Sequence, residues 1–213
     1  MVTPENHKIP PGKVLMSEAA DFIPVDKVRA IQNMQKGAGN LRDALLWTAG
    51  PNWALRVSDL LAVRVGDVRG PTGIRKAFPV KQQKTSKTVT CDITPKIRKA
   101  IEAYLLNGHP EPGNSDAPLF PSRNRDANSG DLKPLDRRQA WKIIKRDTEA
   151  VGLTDGVYSP HSWRKTWGRA ALDGCVPMAV VQEKLGHRTP GALLTYLGIT
   201  KDDVRKASIK VEI

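Results

Sequence analysis

Between Ser159 and Gly198 the chain is punctuated three times, by a proline at a helix start and a glycine at its end. Ser159-Pro160 opens a helix that Gly174 stops. Pro177 opens a second that Gly186 stops, and Thr189-Pro190 opens a short third that Gly198 stops. Proline fixes φ where a first-turn N–H has no partner anyway, and glycine closes the far end in a left-handed turn. These marks commit the stretch to helices before any hydrophobic pattern is consulted.

Upstream, the apolar positions Val25, Val28, Ile31 and Met34 recur at helical spacing from Pro24. A second helix is predicted over Leu41 to Trp47, ending near Gly50-Pro51, and Ser58 is predicted to cap a short helix carrying Leu60, Leu61 and Val63. Residues 74–82 and 88–94 alternate as two strands, with Lys84-Thr85-Ser86-Lys87 as their turn. Thr94-Pro95 opens a helix through Leu106. Residues 107–133 read as a long surface loop pinned by Leu119-Phe120, and Asp136 caps a basic amphipathic helix ending near Gly152. The tail KASIKVEI is predicted to be a strand. The expected class is mainly α with a small antiparallel β-sheet (α+β): a polar arm over residues 1–22, then one domain over 23–213.

Length and composition agree with this reading. A chain of 213 residues fits one large domain, and 39% hydrophobic residues together with 17 glycines argue against wholesale disorder. No run of about 18 apolar residues is present, and MVTPENHKIPPGK lacks the apolar stretch of a secretory signal. Cys91 and Cys175, far apart, make neither a metal knuckle nor a disulfide framework. The expected compartment is a reducing cytoplasm, with no membrane partner.

Charge points to the partner. Lys plus Arg is 34 against 22 Asp plus Glu, a net +12, as expected of a chain that binds phosphates. Residues 75–99 hold eight basic side chains, among them Lys81, Lys84 and Lys87, against Asp92 alone. Residues 133–146 hold six, among them Arg137, Arg138 and Lys142, against Asp136. Two such blocks can grip a duplex backbone from two sides.

In Ser159-Pro160-His161-Ser162-Trp163-Arg164 the helix start sets an imidazole in the first turn and a guanidinium three residues on, a clamp for phosphate or oxyanion. A capping histidine beside an exposed arginine satisfies the same spacing. His187 follows Leu185-Gly186 at a helix end. Tyr196 lies on two turns of helix between Gly191 and Gly198, where a movable tyrosine reads as a nucleophile rather than as packing.

The order His161-x-x-Arg164, Leu185-Gly186-His187, Tyr196 resembles the second box of tyrosine recombinases, the phage integrase family. Leu55-Arg56-Val57-Ser58-Asp59-Leu60-Leu61 resembles its first box, Lys84 matches its β-hairpin lysine, and Leu119-Phe120-Pro121-Ser122 resembles a motif preceding its basic helix. Ala54, Asp59 and Lys165 depart from it, standing where the family often has glycine, glutamate and a second histidine.

This resemblance implies the DNA breaking–rejoining catalytic-domain fold; most members carry a core-binding domain ahead of it, but the roughly two dozen residues before the first helix are expected to be too few for one. It implies a bacterial, archaeal or phage-encoded site-specific recombinase that cleaves double-stranded DNA through a 3′-phosphotyrosyl link, for integration, excision, inversion or resolution. Tyr196 would be the nucleophile, Arg56, Arg164 and His187 the phosphate ligands, His161 the proton acceptor or donor for the tyrosine and Lys84 the acid, with Ser58 and Asp59 positioning Arg56. Lys81, Lys87, Arg137, Arg138 and Lys142 are the candidate DNA contacts. Neither cofactor nor metal is implied, and self-association as a tetramer on paired sites is. A type IB topoisomerase-like enzyme, or a catalytically silent DNA-binding protein of the same fold, is the alternative.

Overall fold

A computed structural model describes residues 20–210. Four helices lead the chain, α1 (Val25–Gly37), α2 (Leu41–Trp53), α3 (Val57–Leu61) and α4 (Val65–Val68). Two antiparallel ribbons follow, β1 (Arg69–Gly70) with β2 (Gly73–Ile74) and β3 (Ala77–Lys81) with β4 (Thr88–Asp92). After α5 (Pro95–Asn107) a third ribbon pairs β5 (Pro121–Arg125) with β6 (Leu132–Pro134). Then come α6 (Arg137–Ala150), α7 (Pro160–Asp173), α8 (Met178–Leu185), α9 (Pro190–Leu197) and α10 (Lys201–Lys210). The single small sheet expected is therefore three separate two-stranded ribbons.

One apolar core gathers α1, α2, α5, α6 and the start of α7, with Trp47, Trp163, Ile31, Tyr104, Phe120 and Ile144 all buried. A satellite core of Ala54, Ala171, Val181, Leu185, Leu193 and Leu197 holds α7, α8 and α9 together.

Three expectations are corrected. The second helix runs through Gly50-Pro51 to Trp53. Pro51 has no N–H to give to the carbonyl of Trp47 four residues back, and the Gln32 amide donates to that carbonyl instead, at 3.0 Å. Gly50 is needed there because a Cβ would meet the Trp163 ring at 2.7 Å. Since Trp163 is itself wedged edge-on against Trp47, with ring centroids 5.4 Å apart, it has no room to yield. Gly50→Ala is expected to cost about 1–3 kcal/mol, read as a lower urea midpoint at unchanged slope; an unchanged midpoint would refute this packing account.

The supposed loop 107–133 contains β5 and the first two residues of β6. Most side chains of this ribbon face solvent, so no apolar alternation announces it. Its turn is shaped by the Asp126 carboxylate, which accepts the N–H groups of Asn128 and Ser129; those bonds and Lys133 lower its pKa to about 2. The tail is helix rather than strand as far as Lys210, while residues 211–213 lie outside the described residues, as do residues 1–19 of the expected arm. Thr200 and Asp203 exchange side-chain-to-backbone bonds of 2.8 and 3.2 Å, a reciprocal helix cap.

Candidate active site

Arg56 stands at the N-cap of α3, so that helix begins two residues earlier than expected, and Ser58 lies inside it rather than capping it. The Arg56 guanidinium donates from Nη1 to Gln82 Oε1 at 2.8 Å. Asp59, buried in the same helix, accepts the backbone N–H of Gln83 at 3.0 Å through one oxygen, and its other oxygen has no partner. Arg56 and Asp59 thus tie α3 to the base of the β3–β4 turn that carries Lys84.

Arg164 is only 4% exposed. Its guanidinium donates to the carbonyls of Ala54 and Leu185, the latter at 2.6 Å. Both carbonyls are aimed by left-handed turns. Ala54 closes α2 at φ 50°, which explains why glycine suits that position, and Gly186 closes α8 at φ 65°. The Gly186 turn also fixes His187, whose N–H donates to Gln182 O at 3.1 Å.

His161 sits one turn before Arg164. The expected amide clamp at this helix start is partly spent, because the His161 N–H donates to the Ser159 hydroxyl at 3.2 Å and the Ser162 N–H to the Ser159 carbonyl at 2.8 Å. Side chains are left to take an anion. Partial desolvation, then the charges of Arg164, Arg137, Arg56 and Lys84, hold the His161 pKa below its usual 6.5. Burial, Arg164 and Arg56 do the same to His187. Both shifts favour the neutral imidazole.

Tyr196 projects from α9 between Leu193 and Leu197, which anchor that helix in the satellite core. Its ring lies 4.6 Å from the His187 ring, and its hydroxyl donates to His161 O at 3.4 Å. The neighbouring guanidiniums favour the phenolate. Burial outweighs them and raises the pKa above 10, with Arg164, by charge and hydrogen bonding, and Arg56 pulling the other way.

Five expected groups, Arg56, His161, Arg164, His187 and Tyr196, therefore share one neighbourhood, and Lys84 stands on the turn that Arg56 and Asp59 hold. The candidate DNA contacts Lys81, Lys87, Arg137, Arg138 and Lys142 are all exposed on the β3–β4 ribbon and α6. Two side chains in direct contact with the site were not assigned to it by sequence. Gln82 bonds Arg56, and Lys165, only 6% exposed, sets its ammonium 5.6 Å from the centre of the Tyr196 ring. Spacing does expose Lys165, which adjoins Arg164, but nothing local to Gln82 marks it.

Among the described residues no group of three or more His, Cys, Asp or Glu could hold a metal ion, and no helix is long and apolar enough to cross a membrane. Two surface cavities, each a little over 300 Å³, are lined by other residues.

A family model described as the phage integrase family matches residues 22–202. The chain is 29% identical over 189 residues to a probable integrase/recombinase YoeC of Bacillus subtilis (strain 168), covering 86% of this chain and 94% of that one. It is 28% identical over 172 residues to the tyrosine recombinase XerD of Corynebacterium glutamicum, covering 78% of this chain but 51% of that one. In fold it is similar to the crystal structure of XerA recombinase, with a TM-score of 0.67 at 16% identity, covering 92% of this chain and 66% of that one. XerH bound to a palindromic difH substrate in a post-cleavage complex gives 0.64 at 17% identity, over 92% and 54%.

Proposed function

Because the chain belongs to the phage integrase family, we propose that it is a site-specific recombinase that breaks and rejoins duplex DNA through Tyr196. The observation that carries this is the gathering of two guanidiniums and two imidazoles around one phenol, from segments up to 140 residues apart in sequence.

The phenolic oxygen of Tyr196 attacks the scissile phosphorus. One P–O bond forms as the bond to O5′ breaks, leaving a 3′-phosphotyrosyl link and a free 5′-hydroxyl. The phenol proton passes to neutral His161, and the departing O5′ takes a proton from Lys84. Arg56 and Arg164 neutralise the charge gathering on the non-bridging oxygens, and His187 donates a hydrogen bond to them. The 5′-hydroxyl of a partner duplex then reverses the step. Bond energy stays in the covalent link, so ATP is not consumed. Lys81, Lys87, Arg137, Arg138 and Lys142 bind backbone phosphates, which makes affinity fall steeply with salt. Exchange between two duplexes requires four strand cleavages, and with one nucleophile, Tyr196, per chain the assembly is a tetramer on paired sites. Ser58 and Asp59 support Arg56 through α3, and the working compartment is the cytoplasm.

The test is incubation with nicked duplexes drawn from the DNA flanking the gene, followed by denaturing electrophoresis and sequencing of the 3′-phosphotyrosyl junctions. Reproducible junctions support the reading, and none at any protein concentration overturns it. Relaxation of supercoiled plasmid by monomers, without exchange between sites, would favour the topoisomerase-like alternative.

The direction of the His161 shift yields a pH prediction. A base with a depressed pKa works while neutral and fails only when acid protonates it. At subsaturating DNA, where the profile reports the free protein, adduct formation should therefore fall on the acid side with a midpoint below 6.5. His161→Gln should flatten that limb. A midpoint well above 6.5 would remove His161 as the base.

A further inference from the structure

Gln82 ends the β3 side of the turn and is 5% exposed, whereas residue 81 and residues 83–88 are all exposed. Its side-chain oxygen accepts two bonds at once, from Arg56 Nη1 at 2.8 Å and from the Thr85 hydroxyl at 2.7 Å. Its backbone closes the same turn, its N–H donating to Lys87 O at 2.8 Å and its carbonyl accepting from Ser86 N–H at 2.9 Å. The next residue, Gln83, is held by Asp59. Lys84 is thus flanked by one neighbour fixed to α3 and another fixed to the Gln82 amide.

We propose that Gln82 is a positioning residue that locks the Lys84 turn onto Arg56, so that proton delivery to the leaving oxygen and charge neutralisation act on the same phosphodiester. The inference rests on the roles given to Arg56 and Lys84 above. The chemistry of the side chain suits the task. An amide carbonyl orients a guanidinium without cancelling its charge, whereas a carboxylate there would compete with the DNA phosphate. Because one oxygen serves both donors, a shift of the turn is felt by Arg56 and a shift of Arg56 by the turn.

A leaving-group test separates positioning from general loss of structure. Two substrates carry the mapped cleavage site, one with the ordinary bridging O5′ and one with sulfur in its place, since a departing thiolate needs no proton. With full-length protein under single turnover, Gln82→Leu should slow adduct formation on the oxygen substrate about tenfold to a hundredfold. It should regain most of that loss on the sulfur substrate, as Lys84→Ala should, with DNA binding within about twofold of wild type. Thr85→Val, which removes only an exposed hydroxyl, should show a smaller loss with the same recovery. Equal losses on both substrates, or no loss, would overturn the proposal. A wild-type protein that forms no adduct on either substrate would instead overturn the recombinase reading, and the proposal with it.

Discussion

Replacing Tyr196 by phenylalanine should lower covalent protein–DNA adducts by at least about a thousandfold, the scale expected when a nucleophile is removed, while DNA binding stays near wild type. The hydroxyl's bond to His161 O is long at 3.4 Å, and the Arg164 guanidinium it also meets stays anchored on the carbonyls of Ala54 and Leu185. The ring keeps its place beside His187 and under Lys165, and Leu193 and Leu197 still seat the helix. The comparison is made on a nicked duplex, by denaturing gel for adducts and by a mobility shift for binding. Adducts persisting in the variant would mean that another residue attacks the phosphate.

Arg164→Lys should cost about a hundredfold or more in cleavage. A guanidinium presents a planar fork, and two edges of that fork are already spent on the carbonyls of Ala54 and Leu185. What remains is oriented by those bonds. An ammonium is a point donor on a flexible stem and cannot hold both carbonyls while facing a phosphate. Orphaning one buried carbonyl adds a stability cost of about 1–3 kcal/mol. Single-turnover cleavage and thermal melting read the two effects separately, and cleavage at the wild-type rate would remove Arg164 from the site.

The helix boundaries from Ser159 to Gly198 were legible because each rests on local chemistry. Ser159 caps α7, Thr189 caps α9, and Gly186 and Gly198 take left-handed turns, all within a few residues of the groups they serve. The same logic was available for α10 in Thr200 and Asp203, but the apolar alternation of the tail competed with it. The order of arginine, lysine, histidines and tyrosine also needs no coordinates, since it is a property of the chain.

Tertiary structure decided what depends on partners far along the chain. Whether α2 could cross Pro51 turned on Gln32 supplying a bond fifteen residues away and on Trp163 filling the space over Gly50. The direction of the Tyr196 shift is a contest between desolvation and charge, and only the packing around α9 shows that desolvation wins. Gln82 was invisible for the same reason, its bond to Arg56 spanning 26 residues. Capping and turn formation act over three or four residues and are written in any short window. Burial and side-chain pairing sum over neighbours that become neighbours only when the core has formed.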